Sequence, residues 1–84
     1  MIYRYTDNLL STFALVLYIL KIKGTEKIPD FVQIRDEHMT LQAYFRLSQT
    51  EKGLIKNNLE EDAENIKKLL NEIPFGKIHK YTKE

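Results

Sequence analysis

The chain has 84 residues, 43% of them hydrophobic, with 13 Lys and Arg against 12 Asp and Glu and no cysteine. That length provides one small domain, residues 1–84, with a single core. The near balance of charge excludes a strongly basic, dedicated nucleic-acid binder while leaving room for a local basic face. The lack of cysteine excludes a disulfide-stapled scaffold and thiol chemistry, and fits a reducing, cytoplasmic setting.

Ile2-Tyr3-Arg4-Tyr5 alternates in β-prone residues and reads as a short first strand. The longest apolar run follows, Leu9 to Ile22, LLSTFALVLYILKI. Its spacing predicts a helix from about Asp7 to Lys23. Thr6 or Asp7 would cap the start, Lys21 and Lys23 would meet the negative end of the helix dipole, and Gly24 with Pro29 would close it. Leu9, Leu10, Phe13, Val16, Leu17 and Leu20 then form a core stripe, while Leu15, Tyr18, Ile19 and Ile22 gather on the opposite side. A helix apolar on every side calls for cover on every side, and so small a chain cannot wrap one of its own helices. Leu15, Tyr18, Ile19 and Ile22 are therefore the expected interface with a second copy or a protein partner. The run is shorter than the roughly 20 apolar residues a membrane span requires, and Ser11, Thr12 and Lys21 interrupt it. The leading MIYRYTDN balances one Arg with one Asp and no small-x-small cleavage pattern follows it, which argues against a signal peptide.

After Pro29 the period changes from that of a helix to that of a strand. Phe31 to Arg35 and Met39 to Leu47 read as a hairpin around Asp36-Glu37-His38. Val32, Ile34, Met39, Leu41, Ala43, Phe45 and Leu47 would share the apolar face. Ser48 and Glu51 have the spacing of a capping box, with Asn58 and Glu61 as a competing start, and Ile55, Leu59, Ala63, Ile66, Leu70 and Ile73 recur at helical spacing. Glu60, Glu61, Asp62 and Glu64 precede Lys67 and Lys68 along this helix, an order the helix dipole explains without a metal. Pro74 and Gly76 end it, and Lys77 to Tyr81 reads as a last edge strand.

The predicted order is β-α-β-β-α-β. That is an α+β, ferredoxin-like split βαβ fold, with two helices on one face of an antiparallel sheet; the alternative is a mainly α chain with a β-hairpin. In the first arrangement the open sheet face would display Tyr3, Tyr5, Arg35, Gln42, Tyr44, Arg46, Lys77, His79 and Tyr81. Aromatic rings interleaved with cations and amides suit single-stranded nucleic acid, RNA included, and equally suit a protein interface. A winged-helix DNA-binding regulator would place Tyr44 to Leu47 on a wing before a helix, but too few residues precede that segment for a helix-turn-helix pair.

Catalysis finds no support in the residues. There is no Gly-x-Ser-x-Gly elbow and no Gly-rich phosphate loop, and His38 and His79 belong to no spaced metal-ligand set. The expected function is that of a non-catalytic, homodimeric interaction module that binds and regulates or inhibits a protein partner. No cofactor, metal or membrane is implied.

Overall fold

The computed structural model of the chain describes residues 15–83. The expected strand at Ile2 to Tyr5, the candidate caps Thr6 and Asp7, and the helical positions before Leu15 lie outside the described residues. The elements are β1 (Leu15–Ile22), β2 (Phe31–Arg35), β3 (Leu41–Arg46), α1 (Thr50–Lys56), α2 (Ala63–Glu72) and β4 (His79–Lys83), with 3₁₀ turns at Leu47–Gln49 and Glu60–Asp62. The strands form one antiparallel sheet in the order β3-β2-β1-β4. The α+β class expected from the sequence is what the chain forms: four antiparallel strands in one sheet and two helices, layered compatibly with a ferredoxin-like fold but with a strand order of its own.

The largest departure is at Leu15–Ile22, which is a central strand and not the second half of a helix. An apolar run of this length is ambiguous between the two by periodicity alone. Tertiary pairing decides it. As a strand, Leu15–Ile19 bonds to β4 while Tyr18–Ile22 bonds to β2, so a helix here would strand the backbone polar groups of both neighbours. Val16, Tyr18, Ile19 and Ile22 are also residue types that favour extended backbone.

Alternation then sorts the side chains. Leu17, Ile19 and Lys21 of β1 point to the helices and are buried, as are Val32 and Ile34 of β2 and Ala43 and Phe45 of β3. Leu54 of α1, Ile66 and Leu70 of α2, and Ile73 just beyond close the core from above. On the sequence pattern Ile55 should lie in this core, but it is 49% exposed and its neighbour Leu54 is fully buried, because α1 ends at Lys56 and the helical phase restarts in α2. Asn58, at φ 63°, makes the break between them. Neither helix uses a side-chain cap, so the expected capping roles of Ser48 and Asn58 are not played.

Two glycines carry specific requirements. Gly24 is not a helix terminus; its N–H donates to Asp30 Oδ1 at 2.7 Å in the β1–β2 connection, and a Cβ there would run into the Ile28 and Pro29 backbone. Gly53 lets α1 lie directly on β3, since a Cβ would sit 2.8 Å from Phe45 Cβ and closer still to its ring. Gly53→Ala should therefore destabilise the fold by about 1 kcal/mol. The helix propensity gained, roughly 1 kcal/mol, is smaller than the cost of displacing a buried ring, about 1–3 kcal/mol. A urea midpoint equal to or above that of the natural chain would refute this close packing.

Candidate interaction surface on the open sheet face

The side of the sheet away from the helices carries the alternate residues of each strand. On β1 these are Val16, Tyr18, Leu20 and Ile22, four apolar or aromatic positions in succession, all half-buried. Register places Leu20 opposite Gln33, Ile22 opposite Phe31 and Tyr18 opposite Arg35 on one side, with Tyr18 opposite Lys80 and Val16 opposite Thr82 on the other. Tyr44 and Arg46 follow on β3, across from Gln33 and Phe31. Phe31 and Tyr44 stack with ring centroids 4.8 Å apart and planes 21° from parallel. Met39 and Ile78, both exposed, border Tyr18 and Leu20.

This geometry regroups the residues expected to act together. Leu15, Tyr18, Ile19 and Ile22 do not share a face, because a strand alternates where a helix would gather them. Ile19 is fully buried and Leu15 packs against the core, whereas Tyr18 and Ile22 stand on the open side. Arg35, Gln42, Tyr44 and Arg46 belong to the open face or its edge, two of them already engaged. Arg35 donates to the Met39 carbonyl at 3.0 Å and lies 3.4 Å from Gln33 Oε1, and Gln42 donates to Asp36 at 2.9 Å. The last strand begins at His79, and its register with β1 gives it the opposite parity from the one expected. Tyr81 and His79 pair with Leu17 and Ile19 and so lie on the helix side, Tyr81 Oη meeting Asp62 Oδ1 at 3.3 Å. Lys80 and Thr82 take their places on the open face, Lys77 precedes the strand, and Ile78 is 58% exposed rather than inward. Tyr3 and Tyr5 lie outside the described residues.

Two features of the hairpin explain further differences. A register shift at Ile34/Arg35 and a left-handed Met39, at φ 65°, turn Met39 and Leu41 outward, where the sequence pattern had them inward. Asp36 holds this tip, its Oδ1 accepting from the His38 N–H at 2.8 Å and the Thr40 N–H at 2.9 Å. The Thr40 hydrogen bond, above all, holds the Asp36 carboxyl below its ordinary 3.8; partial desolvation opposes it, and the His38 N–H, the His38 side chain and Gln42 add to it. A carboxylate favoured in the folded state stabilises the tip above its unfolded pKa of about 3.9, and that contribution is lost as pH falls through the lower folded value. An NMR titration should place the Asp36 midpoint below about 3.9, with the His38 and Thr40 amide shifts following it; a midpoint at or above that value would contradict the hydrogen-bonded tip.

Between β3 and the near side of α1 runs a groove of about 430 Å³, lined by Phe31, Tyr44, Arg46, Gln49, Lys52 and Lys56 among others, none of them acidic. The signal for Lys52 and Lys56 was available in the chain, since residues four apart share a helix face; what was missing was the strand beside them. Among the described residues the stretch before Tyr44 holds β1 and β2, where a helix-turn-helix pair would otherwise lie. Among the described residues no three His, Asp or Glu side chains converge as metal ligands, and no helix is long and apolar enough to cross a membrane. No protein-family model matches the chain, and neither a curated protein nor a solved structure gives a match.

Proposed function

We propose that this chain is a non-catalytic interaction module that self-associates through the open face of its sheet. The observation that carries this reading is the row Val16, Tyr18, Leu20 and Ile22 on the central strand, opposite the buried row Leu17, Ile19 and Lys21. A sheet with one face in water alternates apolar and polar residues; a strand apolar along both rows is characteristic of one covered on both sides. Here the helices cover one side, and no described element covers the other. Phe31, Met39 and Ile78 widen the apolar strip, and Arg35 and Lys80 rim it, a composition suited to an interface core with a polar edge. A two-fold arrangement lets the same strip serve both partners.

Sedimentation equilibrium should give the natural chain twice its single-chain mass. Leu20→Lys, folded by far-UV circular dichroism, should return to the single-chain mass. A natural chain that stays single as its concentration is raised, or a Leu20→Lys chain of unchanged mass, would overturn the reading.

A further inference from the structure

We propose that the groove between β3 and α1 binds single-stranded nucleic acid, with one base stacked on Tyr44 and the adjoining phosphates held by Arg46, Lys52 and Lys56. This goes beyond self-association and does not depend on it: the two share Phe31, which widens the strip and backs Tyr44, but the groove lies at the β3 edge whereas the strip is centred on β1.

Three cations from two elements converge on the groove. Arg46 ends β3, and Lys52 and Lys56 lie one helical turn apart on α1. Among the described residues none of the three forms an ion pair, whereas Lys67 reaches Glu51 at 3.3 Å and Glu64 at 4.0 Å. Glu51, the acidic residue of α1, is thus turned toward α2 and away from the groove. Like charges brought together without a counterion repel one another, and an anion relieves that repulsion. The arrangement is built into the packing, because Gly53, between the two lysines, is the position that lets α1 approach Phe45 so closely.

The aromatic element is equally prepared. Tyr44 is 53% exposed, and Phe31 holds its ring nearly parallel at 4.8 Å, leaving a flat platform beside the cations. A ring backed on one side and open on the other is what an unstacked base needs, and a base within a duplex does not offer its face in this way. Approach over the sheet meets no opposing charge: its open face carries Arg35, Arg46 and Lys80, the four strands contain no Asp or Glu, and the described acidic residues lie in the helices, turns and loops.

Fluorescence anisotropy with labelled oligo(dT) and oligo(U) of about 12 nucleotides, and a duplex of equal length, tests the proposal. Both single strands should bind and the duplex bind at least tenfold more weakly. The logarithm of affinity should fall against that of salt concentration with a slope of about −2, as three phosphate contacts require. Tyr44→Ala should lower affinity about tenfold at unchanged slope, with Tyr44→Phe restoring it. Lys52→Gln with Lys56→Gln should lower affinity and bring the slope to about −0.7. Leu20→Lys, which addresses self-association, should bind as the natural chain does. Absence of binding at low salt, equal binding of the duplex, or affinity indifferent to Tyr44→Ala in a folded variant would each overturn the proposal.

Discussion

Ile19→Lys should abolish folding at 25 °C, while Leu20→Lys, one residue later, should leave a folded chain. Ile19 is fully buried between β2 and the helices, whereas Leu20 is half-buried on the open face. A Lys side chain at position 19 would lose both the apolar contacts of isoleucine and the hydration of its charge. The penalty for an unpaired buried charge is several kcal/mol, of the same order as the roughly 5–10 kcal/mol that holds a domain of this size together. At position 20 the new charge stays in water and the cost to the fold is about 1 kcal/mol or less. Far-UV circular dichroism and amide chemical-shift dispersion distinguish the two. The helical reading of the same segment predicts the opposite for Ile19, a folded chain that merely fails to associate, so a well-dispersed spectrum from Ile19→Lys would refute the strand.

Lys21→Met should lower stability by about 2 kcal/mol, or roughly 10 °C in melting temperature. Lys21 is 7% exposed, an uncommon position for a lysine, and its Nζ donates to the Leu70 carbonyl at 2.7 Å. Leu70 lies in the last turn of α2, where carbonyls lack intrahelical partners. The cation therefore satisfies a buried acceptor at the negative end of the helix dipole, with the Phe75 ring 4.5 Å from Nζ completing its surroundings. Backbone contacts reinforce the same junction: the Gly76 N–H donates to the Lys21 carbonyl at 2.8 Å. Methionine matches the length of the side chain but leaves Leu70 without a donor. Urea denaturation would measure the loss, and a midpoint matching that of the natural chain would show that the hydrogen bond contributes nothing net.

Lys21 also shows how a sound local rule can attach to the wrong object. A basic residue near the end of an apolar run fits a helix C-terminus, and Lys21 does sit at one. The helix is α2, 49 residues away in the chain, and not one to which Lys21 belongs. In the same way Tyr44 and Arg46 were legible as outward residues of a hairpin because alternation there is clean. Tyr81 and His79 were not, because the facing of β4 is set by its register on β1, which puts them opposite Leu17 and Ile19, and a change of parity exchanges the faces.

What the sequence determines by itself is local in origin. Alternation over Phe31 to Arg46 specifies the hairpin, and the three-and-four spacing from Ala63 to Ile73 specifies α2. That Leu15–Ile22 has two apolar sides was also legible. Only the tertiary structure decided that these sides are the two faces of a central strand, because hydrogen bonding to β2 and β4 comes from residues 9 to 68 positions away in sequence. The groove shares that origin: Tyr44 with Arg46 and Lys52 with Lys56 are each local pairs, and the close approach permitted by Gly53 brings them together.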